Sequence, residues 1–299
     1  MYQTIGFIGT GNMGAAMARA AAKSGLAEVI LLSNRTPAKA EALAAELPGA
    51  VLSTNEEIAR TAGLIFLGVK PQMMQLVLDP LEVLLRKRED RFVLATMAAG
   101  LSCERIQDIL DMDCPVIRMM PNTPAAVGAG VVQYCGRLVT VEELDDFAAL
   151  IAPAGLVDPV SEGLIDAASA VSGCGPAFAY LFLEALADGG VACGLPRDKA
   201  VAYAAQMLEG SARMVLESGK HPGALKDAVC SPGGTTIQGV RALEERCRHG
   251  RGDCRLRENL EAGQEIEPRK NEGFPENFLL LLFFIYKERR ERSKKCALW

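Results

Sequence analysis

Histidine is almost missing from this chain: His221 and His249 are the two in 299 residues, and no H-E-x-x-H or paired His/Asp pattern occurs. That excludes the usual metallohydrolase arrangements. Cys247, His249 and Cys254 lie near one another in sequence, but their spacing fits no zinc pattern, so no metal is expected. The nine cysteines are odd in number and include no C-x-x-C, which predicts reduced thiols in a cytoplasmic protein rather than a disulfide framework. A basic excess is lacking as well. The formal net charge of −5 excludes a general nucleic-acid binder, whose phosphate contacts need a cationic surface. Met1-Tyr2-Gln3-Thr4 offers neither a basic nor an apolar region, so no signal peptide is expected. The late apolar run 278–286 is far shorter than the roughly 20 residues of a membrane helix, and no membrane partner is expected.

What the chain does have is length enough for two domains, each with its own core. Its first strong signal is Ile5-Gly6-Phe7-Ile8-Gly9-Thr10-Gly11-Asn12-Met13-Gly14. The apolar residues read as a buried strand, the glycines spell G-x-G-x-x-G, and an Ala-rich, helix-forming run follows. A tight turn at Gly9, close backbone approach at Gly11 and close packing at Gly14 suit a pyrophosphate on the helix N-terminus. Taken without its flanks, the motif is only a Gly-rich turn; strand before and helix after make it a dinucleotide site, with Thr10, Asn12 and Met13 carried in the loop.

The helix is expected over 12–24, with Gly25 as its left-handed cap. The next strand, 29–32, ends at Ser33-Asn34-Arg35, where an NAD enzyme normally carries an acid for the ribose hydroxyl. An arginine in that place suits a 2′-phosphate, so NADPH is favoured and NADH remains possible, because a solvated loop cation would look the same. Thr36-Pro37 starts a helix. Strands are predicted at 50–52, 64–69, 92–96, 116–120 and 157–160, with Thr54 or Asn55 and then Ser102 as helix caps between them. Strands alternating with helices mean a parallel, doubly wound sheet, with ligands beyond the strand C-terminal ends. The rim is therefore 9–14, 33–35 with Asn55, Val69-Lys70-Pro71, Ala98-Ala99-Gly100 and the segment around Asn122. Ala98 to Gly100 leave room for a cofactor, or are simply an Ala-rich turn.

Thr140-Val141-Glu142-Glu143 is a capping box opening a helix to about Ile151. From Leu164 onward every signal is helical. A long helix from Pro176, apolar nearly all round, ends at Gly194, and another runs from Pro196 to about Glu217. Such helices must bury against something, which predicts a dimer. A second Gly-rich stretch, Ser231-Pro232-Gly233-Gly234-Thr235-Thr236, sits between helices and offers a further anion nest, or else an ordinary helix–helix turn. The fold expected is thus α/β: an N-terminal Rossmann domain over 1–160, an all-α helical dimerisation domain over 161–245, and an atypical tail over 246–299.

The shortage of histidine also bears on chemistry. Oxidising an alcohol needs a base for the hydroxyl proton. Reducing a protonated imine does not; it needs positioning, an anchor for a substrate anion, and a hydrogen-bond partner for nitrogen, which Thr235 or Thr236 can supply. A related imine reductase or hydroxyacid dehydrogenase would instead need a lysine, for which Lys220 and Lys226 are the candidates, and a third reading is a cofactor-binding product whose atypical tail has cost it catalysis.

Gly9-Thr10-Gly11-Asn12-Met13-Gly14, Val69-Lys70-Pro71, Met120-Pro121-Asn122-Thr123-Pro124, Gly175-Pro176-Ala177, Asp188-Gly189-Gly190-Val191, Gly194-Leu195-Pro196-Arg197 and Ser231-Pro232-Gly233-Gly234-Thr235-Thr236 occur here in one order. In that order they resemble the pyrroline-5-carboxylate reductase family over about residues 4–245. The resemblance implies reduction of a cyclic imine carboxylate to proline by NADPH or NADH, and helical domains interleaved into homodimers or larger rings of dimers. It assigns Thr236 to the ring nitrogen and the backbone of 233–235, with Ser231 beside it, to the substrate carboxylate. Where the family commonly has Ser-Gly-Ser-Gly-Pro-Ala, this chain has Cys174 in place of the second serine.

The tail departs further. Residues 246–255 are charged and carry no apolar stripe. Codons can be chosen for 247–260 that, read one base later, spell Ala-Gly-Met-Ala-Val-Gly-Ile-Ala-Ala-Tyr-Glu-Lys-Thr, close to the family's missing helix. A frame-shifted reading from about residue 246 is the expectation; a genuine tail with a short helix at 278–286, or a disordered charged stretch, are the alternatives.

Overall fold

The computed structural model describes residues 2–247, with side chains through Glu244. The tail, and every expectation placed on it, lies outside the described residues.

Two compact units meet after Pro176. The first is an eight-stranded sheet in the order β3-β2-β1-β4-β5-β6-β7-β8. Its elements in chain order are β1 (Thr4–Ile8), α1 (Asn12–Ser24), β2 (Val29–Ser33), α2 (Pro37–Glu46), β3 (Ala50–Leu52), α3 (Asn55–Thr61) and β4 (Leu64–Leu67). Then come α4 (Met74–Leu78), α5 (Glu82–Arg86), β5 (Val93–Thr96), α6 (Cys103–Leu110), β6 (Val116–Pro121), β7 (Gly130–Arg137), α7 (Val141–Ile151), β8 (Gly155–Pro159) and α8 (Glu162–Ser172).

Alternation along the strands divides the core in two. Ile5, Phe7, Leu64, Phe66 and Ile117 face one layer, with the alanines of α1 and with Phe147 of α7. Ile8, Ile65, Leu67, Leu94 and Val116 face the other, with Ile58, Leu78, Leu85 and Ile106. Phe7 and Phe66 stack with centroids 4.3 Å apart. With both faces covered, the central strands read as unbroken apolar runs, which is what made them visible in the sequence.

Three details differ from the expected pattern. β4 stops at Leu67 because Gly68 leaves the sheet, its N–H donating to the Ile8 carbonyl. The helix expected after Pro71 is a short 3₁₀ turn followed by α4 and α5, interrupted at Asp79-Pro80, where Asp79 stays helical but Pro80 has no N–H to continue the ladder. β7 was not foreseen, and it pairs antiparallel with β6 while β8 pairs parallel with β7. The sheet is doubly wound and parallel from β3 through β6, with two reversed strands, β7 and β8, beyond. Among the expected caps, Thr54, Ser102 and Thr140 accept from the amides of Glu57, Arg105 and Glu143. Thr36 occupies its cap position without a side-chain bond; its carbonyl accepts instead from Asn34 Nδ2 at 3.0 Å.

The first unit extends past residue 160 because α8 is tied to the sheet. Arg118 of β6 meets Asp166 at 2.5 Å, and Gln133 of β7 and Asn122 both bond Ser172.

The second unit holds α9 (Gly175–Ala192), α10 (Arg197–Ser218), α11 (Pro222–Ala228) and α12 (Thr235–Cys247). Gly194, at φ +97, turns the chain between α9 and α10 as expected. Phe178, Tyr180, Leu181 and Phe182 of α9 and Tyr203, Met207 and Met214 of α10 stay exposed. The helical run 162–192 is the one stretch among the described residues long and apolar enough to cross a membrane by composition.

Candidate functional site

The strand order reverses direction at β1: β2 and β3 lie on one side of it, β4 and β5 on the other. In open α/β sheets, ligands sit in the crevice beyond the strand ends at that point. Two turns meet there. Gly9 takes φ +97, a conformation that disfavours a side chain, and its N–H donates to the Ser33 carbonyl at 2.8 Å. A Cβ on Gly14 would lie 2.1 Å from the Gly9 carbonyl oxygen, and one on Gly68 would lie 2.3 Å from the same atom. The two loops interlock through backbone alone. Gly68 is a site residue that the sequence pattern did not single out; its signal is a glycine directly after an unbroken apolar strand.

The rim fits a dinucleotide. The N–H groups of Gly11, Asn12 and Met13 make no hydrogen bond among the described residues, as expected of a helix's first turn. A Cβ at Gly11 would meet open space, so a ligand can approach the backbone there. Thr10 is 4% exposed, yet its hydroxyl has no partner. Buried polar groups are normally paired, so an orphaned hydroxyl in the loop invites a ligand oxygen.

The end of β2 is built into the same rim. Asn34 Oδ1 accepts from the Thr10 N–H at 3.2 Å, and the Ser33 hydroxyl donates to Asn55 Oδ1 at 2.7 Å. Arg35 is exposed and has no ion-pair partner among the described residues. Val69 and Pro71 are half-buried, and Lys70 is exposed. Ala98 is buried beneath Ala99 and Gly100, which are open. Asn122 differs from the rest: its Nδ2 donates to the Ser172 carbonyl and its Oδ1 accepts from the Val131 N–H, both at 2.9 Å. Each end of that amide makes a bond inside the fold, which fixes its place at the rim.

In the helical unit, Gly233 takes φ +68 and the Gly234 N–H closes the turn onto the Ser231 carbonyl at 3.0 Å. The N–H groups of Gly233, Thr235 and Thr236 make no hydrogen bond among the described residues. Thr235 and Thr236 are exposed at the first turn of α12. The loop therefore presents free amides and hydroxyls together, which is what an anionic, nitrogen-bearing ligand would use. A Cβ on Gly234 would lie 2.4 Å from the Ser231 hydroxyl, so that position admits no side chain without displacing it. Lys226 is paired with Asp227 at 3.3 Å, and Lys220 is exposed.

No grouping of metal-type donors occurs in either loop; among the described residues one lies elsewhere, at Cys103, Cys135 and Glu162.

Comparison with known proteins finds two family matches along the chain. Residues 162–252 match the family described as pyrroline-5-carboxylate reductase dimerisation, and residues 4–99 match the one described as NADP oxidoreductase, coenzyme F420-dependent. Pyrroline-5-carboxylate reductase of Escherichia coli (strain K12) is 41% identical over 249 residues, covering 82% of this chain and 91% of that protein. The crystal structure of Plasmodium falciparum pyrroline carboxylate reductase with NADP bound superposes with a TM-score of 0.73 at 30% identity, over 88% of this chain and 95% of that one. A pyrroline-5-carboxylate reductase from Coxiella burnetii gives a TM-score of 0.79 at 28% identity, covering 89% and 98%.

Proposed function

This chain belongs to the pyrroline-5-carboxylate reductase family, and from that footing we propose that it reduces 1-pyrroline-5-carboxylate to L-proline with NADPH or NADH. The observation that supports this most is the pairing of an NADP-type glycine turn, with free amides at its helix start, with a second loop of free amides and hydroxyls on another unit.

When bound, the nicotinamide supplies a hydride to the imine carbon. The chain's own residues bind and orient. Gly9 to Gly14 hold the diphosphate on backbone N–H groups, with the Thr10 hydroxyl as a further partner. Ser33, Asn34 and Arg35, backed by Asn55, take the adenosine ribose, and the free guanidinium of Arg35 favours the 2′-phosphate of NADPH. Residues 69–71 and 98–100 border the nicotinamide end, and Asn122 holds the rim behind it. Gly233, Thr235 and Ser231 receive the substrate carboxylate, with Gly234 supplying the tight turn. The Thr236 hydroxyl bonds the ring nitrogen. Hydride addition removes the positive charge of a protonated imine, so no base has to take a proton, in keeping with the lack of histidine in these loops.

The functional division that goes with this reading is 1–160 for the dinucleotide and 161–245 for substrate and dimerisation, with α8 packed on the sheet of the first unit. The exposed apolar faces of α9 and α10 are then closed by a second copy, in a homodimer or a ring of dimers, and not by a membrane. A cytoplasmic location fits the six free cysteines among the described residues.

The test is oxidation of NADPH and NADH, side by side, on addition of the cyclic imine. Imine-dependent oxidation that is faster with NADPH is expected. Oxidation with a 2-hydroxy or 2-keto acid and none with the imine would overturn the assignment.

A further inference from the structure

Of the free cysteines, two meet in space. Cys103 is the first residue of α6 and is fully buried, its sulfur 3.6 Å from the Val116 carbonyl oxygen. Cys135 lies on β7, half-buried, directly across from Arg118 in the sheet register. Their sulfurs and a Glu162 carboxylate oxygen all fall within 4.8 Å of one another. Neither thiol has a part in binding cofactor or substrate as assigned above.

Arg118 makes the place unusual. Its side chain is 5% exposed; one guanidinium nitrogen meets Asp166 at 2.5 Å and another lies 3.8 Å from Glu162. Its Nε is buried with no hydrogen-bond partner. A buried cation with an unpartnered N–H donor, next to a thiol, favours the thiolate there.

We propose that Cys103 and Cys135 form a redox-modification site, in which Cys135 reacts with a small hydroperoxide and Cys103 resolves the product into a disulfide. In the first step the Cys135 thiolate attacks the peroxide oxygen. The O–O bond breaks, the sulfur becomes a sulfenic acid, and the peroxide leaves as alkoxide or hydroxide, which takes up a proton. In the second step the Cys103 sulfur attacks the sulfenic sulfur. The S–S bond forms, and hydroxide leaves with the Cys103 proton as water. Two thiols and one hydroperoxide thus give one disulfide, one alcohol or water, and one further water.

The roles of the two sulfurs follow from their surroundings. The hydrogen bond from the Cys103 thiol, with help from the Arg118 charge, holds Cys135 below the usual thiol range, against the opposing effects of burial and Glu162. The same hydrogen bond, then burial, pushes Cys103 up. The deeper sulfur, Cys103, keeps its proton. The three donors would also suit a thiophilic cation, but the Arg118 guanidinium beside Glu162 opposes positive charge there. A disulfide would tie the start of α6, just beyond the 98–100 rim segment, to β7.

The test treats the reduced full chain with hydrogen peroxide and maps peptides without reduction. The 103–135 cross-link should appear before other thiols react and should disappear with dithiothreitol. In Cys103→Ser, dimedone should label Cys135; in Cys135→Ser, neither the cross-link nor a label on Cys103 should form. Arg118→Met should slow reaction at Cys135 by about tenfold, with the rates of the remaining thiols as internal standards. The proposal is overturned if the other thiols oxidise while Cys103 and Cys135 stay reduced. It is equally overturned if one equivalent of Zn2+ binds and shields the pair, which would make it a metal site.

Discussion

Helices α1 and α9 are both rich in small residues, yet they end up in opposite situations. α1 buries Ala16, Met17, Ala18, Ala20 and Ala21 against the sheet. α9 buries Ala187 and Gly189 and leaves Tyr180 61% and Leu181 43% exposed. The difference lies in what each can pack on. A sheet offers two faces, and its own crossover helices cover both, so the first unit closes its core within one chain. A helix apolar all round has no such partner in a small helical unit and needs a second surface, in line with the dimerisation family matched by residues 162–252. On the function proposed above, cofactor binding would be a property of one chain and turnover a property of the assembly.

The most damaging change to the self-sufficient half is Gly14→Val. Its Cβ would lie 2.1 Å from the Gly9 carbonyl, and the two loops have only backbone with which to yield. Calorimetric titration should find NADPH binding weakened by a hundredfold or more, on the order of 3 kcal/mol, as expected when a close backbone approach is blocked. Leu181→Asp attacks the other half. A charge placed unpaired in a subunit interface costs several kcal/mol, so sedimentation should show monomers, imine turnover should fall with the dimer, and NADPH affinity should stay unchanged. If cofactor binding fell equally, the contrast between the halves would be wrong.

Finer changes sharpen the contrast. Thr236→Ala should lower kcat by roughly tenfold to a hundredfold while leaving the KM for NADPH alone, the signature of a lost hydrogen bond to the reacting nitrogen. An equal effect on cofactor KM would move Thr236 out of its role. Arg35→Ala should raise the KM for NADPH by about tenfold and leave that for NADH within twofold, since one charge-assisted bond to a phosphate is at stake. Glu143→Gln probes the sheet unit alone. Arg91 grips both oxygens of Glu143, at 2.7 and 2.8 Å, and holds its carboxyl below the usual range. A lowered folded-state pKa stabilises above the unfolded value, near 4.3, and the gain is lost as pH falls through the folded value. Denaturant titration should therefore show a deficit of about 1 kcal/mol at pH 7 that shrinks as the pH is taken down through the folded-state value. A deficit that persisted in acid would assign it to packing.

Most of the sheet was legible because its strands are buried on both faces and read as apolar runs bounded by glycine or proline. β7 was not. Its Gly130, Gln133, Cys135 and Gly136 break the apolar run, and its antiparallel pairing defies the βαβ rhythm that located the others. The glycine turn could be read directly, since G-x-G-x-x-G states a backbone geometry. Asn122 sits in a motif and at the rim, but its commitment to Ser172 and Val131 is a contact across fifty and nine residues that no local pattern reveals. The Cys103–Cys135 pair was hidden for the same reason: thirty-two residues separate the two in sequence, and only the seating of α6 on β6, with β7 beside it, brings them together.

The claim that one half is complete alone and the other is completed by a second copy can be tested in one dilution series on the full chain. NADPH affinity, read from cofactor fluorescence, and specific activity with the cyclic imine would be followed alongside the sedimentation coefficient. The account predicts constant NADPH affinity and an activity per chain that falls as the dimer dissociates. Undiminished imine turnover by the monomer would contradict it.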